Sequence, residues 1–142
     1  MTPSARTSLA RPKDGEFDPA SSGYIALAPP LDDVAMQMRI QRDAVRKRLT
    51  AIDPAKAGYR YASGENDYVP TSGADDRALG DLVGEGVAVR EATLALVSGF
   101  PPHAWARRGT ANGWTVTTAA LAYIIYGHVA HHLRMLDERY GV

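Results

Sequence analysis

Residues 116–138 have the sequence VTTAALAYIIYGHVAHHLRMLDE, which contains no proline and a single glycine, Gly127. Thr115 or Thr117 is suited to cap a helix here, since a threonine hydroxyl accepts a hydrogen bond from a first-turn amide. At about 100° per residue, one face of that helix collects Leu121, Ile124, Ile125, His128, His132, Met135 and Leu136. We therefore predict a long final helix whose apolar stripe carries the pair His128 and His132.

Two further long helices are predicted upstream. The first begins near Asp32 or Asp33, either of which can cap it, and ends before Pro54. Its inward positions are Val34, Met38, Gln41, Val45, Leu49 and Ile52. The second covers residues 75–97, with one stripe formed by Leu79, Leu82, Gly86, Val89, Thr93 and Leu96. The sequence thus predicts an all-α protein with about three long helices.

The other parts of the chain have the composition of loops. Prolines in residues 1–30 predict an irregular N-terminal arm, which the apolar residues 24–27 anchor to the body. Residues 57–73 and the pair Asn112-Gly113 predict a loop and a turn. With 142 residues, 45% of them apolar, we expect residues 31–142 to form one domain.

The composition narrows the classes of function. Sixteen basic residues balance sixteen acidic ones, so no overall field favours nucleic acid or anionic lipid. No stretch has the apolar run of a signal peptide or a membrane helix, and we expect a cytoplasmic protein. Since the chain has no cysteine, histidine and carboxylate are the available metal ligands.

The spacing of His128 and His132 has two interpretations. Four residues apart on a helix, the two rings lie one turn from each other and can reach a single divalent ion. A metal ion that performs chemistry usually keeps about three protein ligands and an open position, so the pair is one ligand short. Alternatively, both are structural histidines hydrogen-bonded to their neighbours.

Five segments resemble the DinB/YfiT-like superfamily of metal-dependent enzymes. The longest are AWARRGTANG at residues 104–113 and ALAYIIYGHVAHHL at residues 120–133, and the others are RPKDGEF at 11–17, GYIAL at 23–27 and YRYASG at 59–64. The resemblance implies an up-down-down-up four-helix bundle in which three histidines hold zinc or nickel. Two of the three match His128 and His132.

The chain departs from the family pattern after Gly64. The resemblance implies a second helix there, ending in a histidine and a leucine, but residues 65–70 resemble the loop that follows that helix. The implied fold is therefore a shortened bundle, and the implied hydrolase or thiol-dependent transferase, whose small-molecule substrate is not identified, has an incomplete metal site. His103, Glu65, Asp67 or a partner chain are the alternatives for the third ligand.

Loss of one helix from a bundle uncovers apolar stripes on its neighbours, and such stripes commonly become interfaces. We therefore expect a homodimer. The rival to the enzyme is a non-catalytic helical dimerisation or interaction module with structural histidines. Trp105, Arg107, Arg108 and Trp114 have the composition of a nucleic-acid site, but the neutral chain favours packing roles for them and no nucleic acid as partner.

Overall fold

Three long helices and one short helix account for most of the chain that the computed structural model describes, residues 8–52, 73–111 and 113–142. The protein is mostly helical, as the sequence predicts. The helices are α1 (Ser22–Leu27), α2 (Val34–Ala51), α3 (Leu79–Ser98) and α4 (Thr118–Tyr140). α2 packs against both α3 and α4, whereas α1 packs mainly on α4. None of the described helices has the length and apolarity needed to cross a membrane.

Side-chain caps fix where two of the helices begin. The Asp33 carboxylate accepts a hydrogen bond from the Met36 amide at 3.0 Å, and α2 starts at the next residue, Val34. The Thr117 hydroxyl accepts from the Ala120 amide at 3.1 Å, so α4 starts two residues later than predicted. Both caps are among the candidates that the sequence offered. Such bonds satisfy first-turn amides that have no partner inside the helix.

α3 begins later than predicted. A 3₁₀ turn, Ala74–Asp76, comes first, and Ala78 is extended with φ −62° and ψ 134°. The helix therefore starts at Leu79 without a side-chain cap and ends at Ser98, next to Gly99. The loop predicted over residues 57–73 and the departure after Gly64 lie almost entirely outside the described residues.

The prediction of an irregular arm is wrong for residues 19–27. Pro19 occupies the first position of a 3₁₀ turn, Pro19–Ser21, where its missing N–H costs nothing, and α1 follows directly. At the C-terminal end of α1, the Arg11 guanidinium donates hydrogen bonds to the carbonyls of Ile25 and Ala28, the latter at 2.7 Å. The proline content of residues 1–30 therefore failed to predict α1, a helix that contacts with distant residues stabilise.

A β-hairpin precedes α4, where the sequence predicted only a turn and the beginning of the helix. β1 (Arg108–Ala111) pairs antiparallel with β2 (Trp114–Thr117), with Ala111 opposite Trp114. Gly113 has φ 81°, which a glycine adopts readily. Alternating tryptophan, valine and threonine favour a strand, so the β-propensity of residues 114–117 outweighs their helical period.

Tyr123 is the centre of the core and joins distant parts of the chain. Its side chain is 1% exposed, and its hydroxyl donates to the Leu9 carbonyl at 2.9 Å and accepts from the Leu31 amide at 3.2 Å. Leu9 and Leu31 also pair through an isolated β-bridge. The N-terminal arm is therefore held against α4 by buried polar contacts as well as by apolar packing.

The buried face of α4 is not the predicted stripe. Ala120, Tyr123 and Gly127 are buried, whereas Leu121 is 43% exposed and both histidines of the pair are exposed. A side chain at Gly127 would place its Cβ 2.5 Å from the carbonyl carbon of Tyr24. The small residue lets the backbone of α1 approach α4 on this side, so α1 covers a face that the sequence analysis did not predict to be buried.

The predicted stripe of α3 is also wrong. Val83 and Leu94 are buried, but Val89 and Leu96 are 64% and 61% exposed. α3 packs on α2 with the side of Val83, which turns the predicted stripe outwards. Several alanines and glycines dilute the hydrophobic contrast between the faces of α3, which is why the sequence did not determine its rotation.

Candidate functional site

His128 and His132 form a close pair on α4. Their Nε2 atoms are 2.8 Å apart and their ring centroids are 4.6 Å apart. Two protonated nitrogens would clash at this separation, so at least one Nε2 presents a lone pair. Both residues are exposed, which corrects the prediction that the pair lies within a buried stripe. Exposure leaves the pair open to a ligand.

Aromatic contacts orient the pair at the junction of α1 and α4. The Tyr24 ring stacks on His128 with centroids 4.8 Å apart and an interplanar angle of 28°. Tyr24 also meets the edge of His131 at 5.8 Å, and His131 lies 5.4 Å from His132. Three histidine rings and one tyrosine ring thus form a cluster on one side of α4.

The electrostatics of the cluster favour a neutral imidazole at His132. Partial burial lowers the pKa of His132, and positive charge on His128 and on His131 lowers it further. A neutral imidazole has a nitrogen lone pair, and this is the form of histidine that coordinates metal ions. The cluster therefore favours the ligand form of His132 near neutral pH.

The donor set fits two ligands of a metal site. Two nitrogens that bind one tetrahedral zinc ion at about 2.0–2.1 Å each lie about 3.3 Å apart, so the 2.8 Å pair would open by about half an ångström to hold the ion. Within residues 8–52, 73–111 and 113–142, however, no three histidine or carboxylate groups are placed to hold one ion. The structure brings His128 and His132 together without adding a third ligand from this set.

The other candidate ligands are not brought to the pair. His103 lies on the 3₁₀ turn Pro102–Ala106, and its Nε2 is 3.4 Å from the Arg107 guanidinium. Glu65 and Asp67 lie outside the described residues. The third ligand therefore remains a prediction.

A groove of about 460 Å³ opens beside the histidines. It is bounded by α2, α3 and α4, and His132 lies on its wall. The aliphatic residues that line it include Val45, Leu49, Val83, Val87, Leu133 and Leu136. Sequence reasoning did not find this groove, because it depends on how α3 and α4 are both placed against α2.

Tyr24 is a second feature that the sequence did not assign to the site. The sequence feature that could have indicated its role is Gly127, the one glycine inside α4, since a glycine within a helix often marks the close approach of another backbone. That backbone is α1, and it brings Tyr24 onto His128.

No family model, no curated protein and no solved structure matches this chain. Membership of the DinB/YfiT-like superfamily therefore stays a prediction from the motifs quoted above.

Proposed function

We propose that this protein is a cytoplasmic, metal-dependent enzyme of the DinB-like type, a hydrolase or a thiol-dependent transferase, in which His128 and His132 hold a zinc or nickel ion. The observation that carries the proposal is the convergence of two exposed Nε2 atoms, 2.8 Å apart. The apolar groove that begins at His132 gives a substrate a place to bind next to them. A shortened bundle would contain three long helices, which is the number in the described residues. We propose that these helices have the DinB-like arrangement.

The residues of the site have separate tasks. His128 and His132 supply the two Nε2 atoms, and the stacked Tyr24 ring restricts the rotation of His128, as neighbours of metal ligands commonly do. The groove shields part of a bound substrate from water. A divalent ion bound there would supply Lewis acidity, which lowers the pKa of a water or thiol ligand. The proposal needs a third protein ligand, for which the sequence offers Glu65, Asp67 or a second copy of the chain.

Metal content tests this function directly. The full chain is purified without a histidine tag, and zinc and nickel are measured by mass spectrometry in the parent, His128→Ala, His132→Ala and the control His103→Ala. We expect about one equivalent of metal in the parent and in the control, and a loss of most of it in the other two. Less than about a tenth of an equivalent in the parent would contradict the proposal.

A second candidate function is a non-catalytic homodimerisation module. Val89 and Leu96 expose most of their surface on α3, and Val89 and Ile125 of α4 both line an open groove of about 580 Å³. Exposed apolar surface of this kind marks interfaces. In this alternative the histidine pair is a structural N–H···N hydrogen bond and binds no metal.

Light scattering on a sizing column measures the oligomeric state of the full chain. We expect a dimer at tens of micromolar, and we expect Val89→Lys or Leu96→Lys to give a monomer, since a buried lysine is costly at an interface. Met36→Lys, at a 57% exposed apolar position on α2, is the matched control and should leave the dimer intact. A monomeric parent would exclude this dimer, and a metal-free dimer would favour the module over the enzyme.

A further inference from the structure

The groove between α2, α3 and α4 is lined by aliphatic side chains and by arginines. Its aliphatic side chains come from all three helices. Its charged lining residues are Arg42, Arg46, Arg90 and Arg139, and no aspartate or glutamate of residues 8–52, 73–111 and 113–142 lines it. An apolar surface with cations and no carboxylate is complementary to an amphipathic anion.

Two groove cations, Arg46 and Arg90, have no ion pair among the residues that the structure describes; Arg46 is exposed, whereas Arg90 is partly buried. Arg90 lies on α3, and its partial burial lowers the pKa of its guanidinium. By contrast, Arg42 forms ion pairs with Asp43 and Glu91. The guanidinium of Arg90 makes no hydrogen bond or ion pair with any residue in the described part of the chain. Since a guanidinium stays protonated, its partial burial is costly until an anion joins it.

We propose that the groove binds an aliphatic monocarboxylate, whose chain lies against the valine and leucine walls and whose carboxylate pairs with Arg90. The volume of about 460 Å³ lies within the range of small-molecule sites, about 300–1,000 Å³. A guanidinium binds a carboxylate through two parallel N–H···O bonds, which would fix the position of the ligand's carboxylate beside Arg90. The inference goes beyond the proposed function because it requires no metal ion.

The test is calorimetric titration of the full chain with decanoate below its micelle concentration, and with decanol as the uncharged match. The variant is Arg90→Met, which keeps an aliphatic side chain and removes the charge. Arg134→Met is the control, because Arg134 is 57% exposed on α4 and lies outside the groove. Each titration is repeated in EDTA, which separates this proposal from the metal site.

We expect decanoate to bind one to one and at least about tenfold more tightly than decanol, because charge-assisted hydrogen bonds are the stronger class. Arg90→Met should abolish that preference and leave decanol binding unchanged, whereas Arg134→Met and EDTA should change neither affinity. Equal binding of decanoate and decanol, or an unchanged preference in Arg90→Met, would overturn the proposal. Loss of binding in EDTA would do so as well, by assigning the carboxylate to a metal ion. A groove already filled by residues 53–72 or by a second copy would give no binding, which also overturns it.

Discussion

Replacing Gly127 by alanine should destabilise the protein, although alanine is the better helix former. The new Cβ would lie 2.5 Å from the Tyr24 carbonyl carbon and 3.0 Å from its Cα. The Tyr24 carbonyl oxygen would lie closer still, and because carbon atoms in ordinary contact are about 3.5 Å apart, α1 must retreat from α4 by at least about 1 Å. That movement loosens the packing of Ile25, which is 4% exposed, and of the Tyr24 ring on His128.

The expected magnitude is a balance of two effects. Overpacking against backbone costs about 3 kcal/mol, and the higher helix propensity of alanine returns about 1 kcal/mol. The net loss is about 2 kcal/mol, or about 8 °C in Tm for a chain of this size. Thermal and urea denaturation, followed by circular dichroism, measure both quantities.

Gly84→Ala is the matched control for this substitution. Gly84 lies on α3, and a Cβ there would have no heavy atom within 4 Å. The control should therefore gain about 1 kcal/mol from helix propensity alone. A Gly127→Ala protein as stable as the parent would refute the close contact between α1 and α4, and so the placement of Tyr24 on His128.

Two further substitutions test contacts that the fold depends on. Tyr123→Phe removes the hydroxyl that bonds both Leu9 and Leu31, and so leaves a buried amide and a buried carbonyl with one partner fewer. It should lower the free energy of unfolding, measured in urea, by about 2 kcal/mol. A change near zero would contradict these two buried hydrogen bonds. Asp33→Ala removes the cap of α2 and should lower Tm through a loss of about 1 kcal/mol, while Asp32→Ala should change Tm little. The reverse order would identify the other aspartate as the cap.

Sequence reasoning succeeded where the cause is local. Asp33 and Thr117 cap their helices because a short polar side chain at that position bonds an amide a few residues away, which needs no knowledge of the fold. The three long helices follow from uninterrupted helical periods. The histidine pair follows from a spacing of four residues on one such helix.

The errors concern rotation and distant contacts. α4 has two apolar faces, and the one that is buried is selected by Gly127, where a segment about 100 residues earlier in the chain packs. The exposure of His128 and His132 follows from that choice. Arg90 was not predicted as a site residue, because its isolation from carboxylates becomes visible only when three helices surround the groove.

The Tyr123 hydroxyl bonds Leu9 across a separation of 114 residues in the chain. Leu9 is synthesised long before Tyr123, so the arm has no native place to dock until α4 has been made. Contacts of such long range also slow folding, since the loop between their ends must close before they form. We infer that docking of the arm is a late step, and that the newly made chain exposes Leu9, Phe17 and Ile25 until its last helix emerges.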